Sequence, residues 1–329
     1  MLFDLLQQAR KMQASDVHLA AGLVPQVRVQ GKLQSLLLSP TSQDMLAAEL
    51  RGLLQEQQWQ ELLRTGEVDM AFSDAAGERY RLNAYRQGAQ YALAIRLLAS
   101  VIPDCQALGL PESVVRLADL KQGLVLVAGP TGSGKTTTLA ALVQRINNER
   151  PVHIITLEDP VEYLYPQGKA LISQREIGRD TASFASGLRS ALRQDPDIIL
   201  VGELRDADSM AMALSAAETG HLVLATLHTQ DAAGSVNRIL DVLSERQAQT
   251  RSQLAECLQA VVCQRLLPRS DAERRVAAFE VLVATEALRN IIREGRTHQL
   301  ESYIQTGKRF GMQTLAESVA SLRRQGIIK

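Results

Sequence analysis

Apolar positions along the chain fall into two textures. Over residues 2–12, Leu2, Phe3, Leu5, Leu6, Ala9 and Met12 share one face at helical spacing, which predicts an amphipathic helix. Val17–Ala20 and Val27–Val29 read as short strands, the second closed by Gln30-Gly31. Thr41-Ser42-Gln43-Asp44 opens a helical stretch reaching about Arg64, with a break expected near Gly52. Beyond Gly66, the segments Val68–Phe72, Arg79–Tyr85 and Tyr91–Leu97 alternate or run apolar. Asp74–Gly77 and Gln87-Gly88 supply the turns between them. This pattern predicts a small α+β domain over residues 1–100 with an antiparallel meander.

Two prolines and a glycine between Val101 and Pro111 predict a linker over residues 101–112. From 113 to 329 the rhythm becomes strand, loop, helix. Leu124–Ala128, His153–Leu157, Ile198–Val201 and Leu222–Thr226 are continuous apolar runs, as expected of strands buried on both faces of a mainly parallel sheet. Helical segments lie between them, around Thr136–Asn147, Phe184–Arg193 and Ala207–Glu218. Such α/β winding places ligand chemistry at the carboxyl ends of the strands. The tail from about Arg246 reads as helix-rich, with one strand candidate at Val276–Val283.

Composition narrows the function. A chain of 329 residues accommodates about two domains at roughly 150 residues each. Lys+Arg and Asp+Glu are both 36, so the net charge is zero and there is no basic nucleic-acid footprint or polybasic membrane patch. Aromatics at 4% disfavour a base-stacking platform. No apolar run approaches the ~18 residues of a membrane span, and the N-terminus shows no signal-peptide core. Cys105, Cys257 and Cys263 form no CxxC and read as reduced thiols. The expectation is a cytoplasmic protein with no nucleic-acid partner and no direct membrane insertion.

The sharpest chemical signal is Gly129-Pro130-Thr131-Gly132-Ser133-Gly134-Lys135-Thr136, which matches GxxxxGK[ST] between an apolar strand and a helix. Glycines let the backbone turn its N–H groups toward phosphate oxygens, and the helix N-terminus adds positive potential. Lys135 is expected to reach the β- and γ-phosphates of ATP, and Thr136 to ligate Mg²⁺. Hydrolysis needs acids as well. Glu158-Asp159-Pro160-Val161-Glu162 and Val201-Gly202-Glu203 stand where strands should end. Strand-end acids are also ordinary solvated charges; beside a P-loop they become candidates for Mg²⁺ and water. Ile198–Glu203 resembles a Walker B strand with Glu where Asp is usual. His228 lies at the carboxyl end of the Leu222–Leu227 run, where it could approach the γ-phosphate, though a lone histidine there is equally often structural. His221 lies at the other end and reads as structural.

Taken together and in order, these residues resemble the ATPases of type II secretion and type IV pili, and specifically the PilT-like pilus retraction family. The resemblance runs over nearly the whole chain. It rests on Ala14-Ser15-Asp16-Val17-His18-Leu19, on Gly129–Thr136, and on Thr156–Glu162. It continues through Leu188–Asp197, Val201–Asp206, and Thr219-Gly220-His221 through Thr229. It implies a PAS-like first domain and a RecA-like motor domain, closed into a hexameric ring that docks on an inner-membrane pilus platform protein. By resemblance Glu162 matches a general base, Glu203 an acid organising Mg²⁺ through water, and His228 a γ-phosphate-side histidine. Arg81 and Arg96 match arginines brought to the triphosphate by the first domain. Arg189 and Arg193, read as i and i+4 on one helix face, match a second pair.

Assembly and secretion relatives usually carry a paired-CxxC metal site and an extra N-terminal domain, and this chain shows neither. Ala287–Glu294 resembles a retraction-linked motif with apolar swaps at Leu288 and Ile291, though the same spacing suits an ordinary amphipathic helix. The segment after Gly326 is short for the family. The expected function is therefore an Mg-ATP-driven retraction motor underlying twitching motility. The competing readings are a related secretion or orphan pilus-like ATPase, a RecA-like nucleic-acid translocase, and an ATP-binding module without turnover.

Overall fold

Helix α1 (Leu2–Lys11) lays Leu2, Leu5, Leu6 and Ala9 into a core, as its spacing predicts. The computed structural model describes residues 2–270 and 275–329. These divide into two units, one of Met1–Val101 with Glu162–Leu164, the other of Ile102–Val161 with Tyr165–Lys329.

In the first unit, α1 is followed by β1 (Asp16–Ala20), β2 (Gln26–Val29), β3 (Lys32–Ser35), α2 (Gln43–Leu53), α3 (Glu56–Thr65), β4 (Glu67–Ser73), β5 (Arg79–Gln87) and β6 (Gln90–Leu97). The helical stretch breaks at Leu54-Gln55 rather than at Gly52, because Leu54 adopts extended dihedrals and Gln55 starts a capping box. The strands form one antiparallel sheet, ordered β3-β2-β1-β6-β5-β4. Alternation sends Val17, Leu19, Val27, Leu82, Leu93 and Ile95 into the core with Leu46, Leu50, Trp59 and Leu62. Each fully buried Leu or Ile contributes about 2 kcal/mol of transfer free energy. The other face carries a polar row. Cross-strand pairing aligns Arg28 with Asp16, Asp16 with Arg96, and Arg96 with Arg81.

Arg10 ties α1 to this sheet. Its Nη2 donates to the carbonyls of Arg79 at 2.8 Å and Leu98 at 3.0 Å, and its Nη1 lies 3.0 Å from Glu78. The guanidinium also sits 4.8 Å from the centre of the Tyr80 ring. Truncation removes the Arg10 donor from the Leu98 carbonyl and leaves the Arg79 carbonyl only its bond from Leu98 N–H, so Arg10→Ala is expected to lower unfolding stability by about 2 kcal/mol. Urea denaturation reads this directly, and a change below about 0.5 kcal/mol would show the network to be dispensable.

The second unit runs α4 (Glu112–Val115), β7 (Gly123–Ala128), α5 (Lys135–Glu149), β8 (His153–Glu158), β9 (Leu171–Glu176), α6 (Phe184–Ala191), β10 (Ile198–Val201), α7 (Ala207–Glu218) and β11 (Leu222–Leu227). It continues with α8 (Ala232–Val242), α9 (Gln247–Cys257), β12 (Leu258–Pro268), β13 (Arg275–Val283), α10 (Glu286–Arg293), α11 (Leu300–Thr306) and α12 (Leu315–Arg324). The sheet order is β13-β12-β7-β11-β10-β8-β9, parallel throughout except for β13. Strands β7, β10 and β11 are buried at every position, which is why they read as unbroken apolar runs.

Two expectations change here. The tail holds an eleven-residue strand, β12, beside the strand expected near Val276. It enters directly from α9 without a glycine or proline to mark the boundary. Helix α6 stops at Ala191, so Arg193 lies beyond its end rather than on a shared helical face with Arg189. Arg193 instead donates from Nη1 to the Arg189 carbonyl at 3.0 Å. Among the described residues no helix is long and apolar enough to cross a membrane.

Candidate functional site: a phosphate cradle at the strand ends

The loop between β7 and α5 is shaped by glycine where no other residue fits. Gly129 has φ 145°, and a Cβ there would stand 2.4 Å from the Gln264 carbonyl. Gly134 has φ 88° and a Cβ would meet the Gln264 side chain at 2.8 Å. Pro130, Thr131, Gly132 and Thr136 are exposed, while Ser133 and Lys135 are buried. Lys135 Nζ donates to the carbonyls of Gly129 at 2.9 Å and Pro130 at 3.2 Å. Burial pushes its pKa down, and the charge of Glu203 opposes that shift. Ser133 Oγ is buried with no hydrogen-bond partner, a polar atom suited to an incoming oxygen. A cationic head, an orphaned hydroxyl and a helix N-terminus on one loop fit a phosphate group.

Strands β10 and β11 place the acid and the histidine side by side. Val201 pairs with Ala225, so Glu203 and His228 both emerge just past the carboxyl ends of neighbouring strands. His228 Nε2 lies 2.9 Å from Glu203 Oε1. The other oxygen, Oε2, accepts from Arg205 Nε at 2.6 Å. The Thr226 hydroxyl donates to the Gly202 carbonyl and fixes the turn that presents Glu203. Asp206 caps α7 by accepting from Ser209 N at 2.8 Å. The carboxylate is thus held by a cation and an imidazole at the edge of the sheet that carries the P-loop.

The family model for type II/IV secretion system proteins matches residues 1–327. The type IV pilus retraction ATPase PilT of Pseudomonas aeruginosa is 44% identical over 99% of this chain and 94% of its own length. The chain belongs to the type II/IV secretion system protein family. An uncharacterized protein of Escherichia coli, YggR, is 47% identical over 96% of both chains. The crystal structure of the pilus retraction motor PilT with bound ADP superposes with a TM-score of 0.92 at 42% identity, covering 99% of this chain and 94% of that one. This secretion ATPase is an enzyme of ATP hydrolysis, with an α/β ATPase domain preceded by a smaller α+β domain.

Glu162 follows β8 by four residues, within the segment Glu162–Leu164 that groups with the first unit. Upstream, Glu158 is buried and accepts from Thr156 Oγ1 at 2.6 Å and Gln174 Nε2 at 3.1 Å, so it braces β8 against β9. His221 Nδ1 lies 3.0 Å from the Ala216 carbonyl at the amino end of β11, in keeping with a structural role.

Arg81 and Arg96 face each other across β5 and β6, with Arg81 Nη2 4.0 Å from Asp69 and Arg96 Nε 2.9 Å from Asp16. Burial raises the Asp16 pKa, but hydrogen bonds from Ser15 and Arg96 outweigh it and hold the carboxyl below its usual value. Arg189 lies in the last turn of α6 and Arg193 two residues past its end. Helix α6 begins beside Gly202, where Phe184 packs, and ends toward Asp197, which accepts from the backbone N–H of His153 at the amino edge of the sheet. Sequence reasoning passed over Gln264, whose only signal is an uncharged polar residue interrupting the apolar run of β12.

Proposed function

We propose that this secretion ATPase is a hexameric, Mg²⁺-dependent motor of pilus retraction, acting in the cytoplasm against a platform protein at the inner membrane. The observation that carries this reading is the 44% identity to the retraction ATPase PilT, spanning 99% of the chain. ATP binds with its phosphates on the P-loop N–H groups and Lys135. The Thr136 hydroxyl and, through water, Glu203 would hold Mg²⁺, which would supply charge neutralisation to the phosphates. That donor set is all oxygen, as a hard cation shared with phosphate requires.

In this reading Glu162 accepts the proton of the attacking water. His228, oriented by Glu203, supports the γ-phosphate side. Arg81 and Arg96 stabilise charge on the transferring group when the first domain closes. Closure repeated around a ring converts hydrolysis into displacement of the filament base.

Glu162→Gln is expected to keep ATP binding and lose roughly 10²-fold in turnover. Light scattering of the full chain with an ATP analogue should show a particle of about six subunits, closed by a heterologous interface. A deletion strain should keep its pili and lose retraction. Normal retraction in that strain would instead support the second reading, a motor of an orphan pilus-like or secretion system.

A further inference from the structure

We infer that Gln264 is a positioning residue for nucleotide binding, holding the Ser133–Gly134 peptide of the P-loop in its phosphate-facing orientation. The inference rests on the P-loop reading above and adds a residue outside the motif. Gln264 lies one position past Cys263, which pairs with Ala128, the last residue of β7. Strand β12 therefore brings Gln264 level with Gly129, and the Gln264 carbonyl is the atom that leaves no room for a Cβ there. The side chain is 5% exposed, and both ends of its amide are used. Nε2 donates to the Ser133 carbonyl at 2.7 Å. Oε1 accepts from the Thr138 hydroxyl at 2.7 Å, in the first turn of α5.

In a trans peptide the N–H points opposite to the C=O. Drawing the Ser133 carbonyl toward β12 aims the Gly134 N–H away from β12, the direction that P-loop amides take toward phosphate. The bond also spares the Ser133 carbonyl from facing an incoming anion. The Thr138 contact has a different task. It anchors the far end of the amide to α5, while the Ser133 carbonyl, which can only accept, is what selects Nε2 to face it. Neither partner is legible from the P-loop motif, since Gln264 is more than 120 residues downstream of Thr138.

The experiment compares Gln264→Met, which keeps length and volume but neither donates nor accepts, with Thr138→Val, which leaves the Nε2–Ser133 bond intact. Calorimetric titration of the full chain with Mg-ADP, and thermal unfolding without nucleotide, are read side by side. Gln264→Met is expected to weaken ADP binding about tenfold, the equivalent of one lost buried hydrogen bond. Thr138→Val is expected to weaken it no more than about threefold. Both variants lower the unfolding midpoint by similar amounts, so affinity does not follow stability. Binding within twofold of wild type in Gln264→Met overturns the inference, as does an equal affinity loss in both variants, which marks a packing role. Should Gln264→Met not fold, Gln264→Asn, whose amide falls short of the Ser133 carbonyl, carries the same expectation and the same overturning result. Failure of the wild-type chain itself to bind ADP would count against the P-loop reading and leaves a distinct signature.

Discussion

Lys135→Ala abolishes measurable ATP turnover and weakens nucleotide binding by about 10²-fold or more. Each charge-assisted hydrogen bond contributes about 1.5–3 kcal/mol, and every 1.4 kcal/mol is a factor of ten in affinity. The Lys135 ammonium is buried, with two backbone carbonyls as its partners and Glu203 as the nearby charge. A triphosphate supplies far more negative charge than those dipoles, so the ammonium gains most when nucleotide arrives. Removing it relieves the protein of a desolvated charge, so stability without nucleotide should change little. That separates this variant from a folding defect. Lys135→Arg should not restore turnover, because a planar fork needs more room than the buried end of the loop offers. Turnover near the wild-type rate in Lys135→Ala, measured by phosphate release, would remove the loop from the catalytic centre.

The P-loop is legible in sequence because its chemistry is local. Eight consecutive residues carry the turn, the donors and the cation, and the strand and helix around them have unambiguous spacing. The pairing of Glu203 with His228 is a different case. The two are 25 positions apart, and what joins them is the parallel register of β10 on β11, which residue patterns do not specify. Strand β9 escaped notice because only Leu171 and Ile172 of its six residues are apolar; it is an edge strand with one neighbour, β8. Strand β12 is hidden because Leu254, Ala255 and Cys257 at the end of α9 run into Leu258, Ala260 and Val261 with only Glu256 and Gln259 between them, a mainly apolar stretch with two secondary structures. With β12 unseen, Gln264 had no route to the P-loop. The end of α6 shifted for a similar reason. Leu192 keeps near-helical dihedrals and its N–H still bonds to Leu188, and only at Arg193 does the bond tighten to Ser190, so spacing alone extends the helix to Arg193.

Arg96→Ala should depress kcat by about 10³-fold while changing the Kd for ADP by less than threefold, the signature of a group that acts only on the transferring phosphoryl group. Arg96 is well placed to be tested cleanly. Its side chain is 63% exposed while its partner Asp16 is 16% exposed, so loss of this half-exposed pair should cost the fold about 1 kcal/mol. The polar row Arg28, Asp16, Arg96 and Arg81 sits on the sheet face away from the core, where nothing in the packing of the first unit requires a guanidinium. Asp16 offers the competing explanation. If Arg96 serves only to pair with Asp16, then Asp16→Asn and Arg96→Ala should behave alike, with small losses of stability and normal turnover. If Arg96 instead meets the triphosphate, the two variants part. Asp16→Asn leaves the guanidinium free to act and keeps most of the rate, whereas Arg96→Ala loses it. Arg96→Lys should recover only part of the activity, because a point ammonium cannot span two phosphate oxygens as the fork does. Measuring kcat and ADP affinity for all three variants on the full chain decides the matter. An unchanged kcat in Arg96→Ala would end the catalytic role of Arg96 and leave the phosphate cradle of the second domain intact.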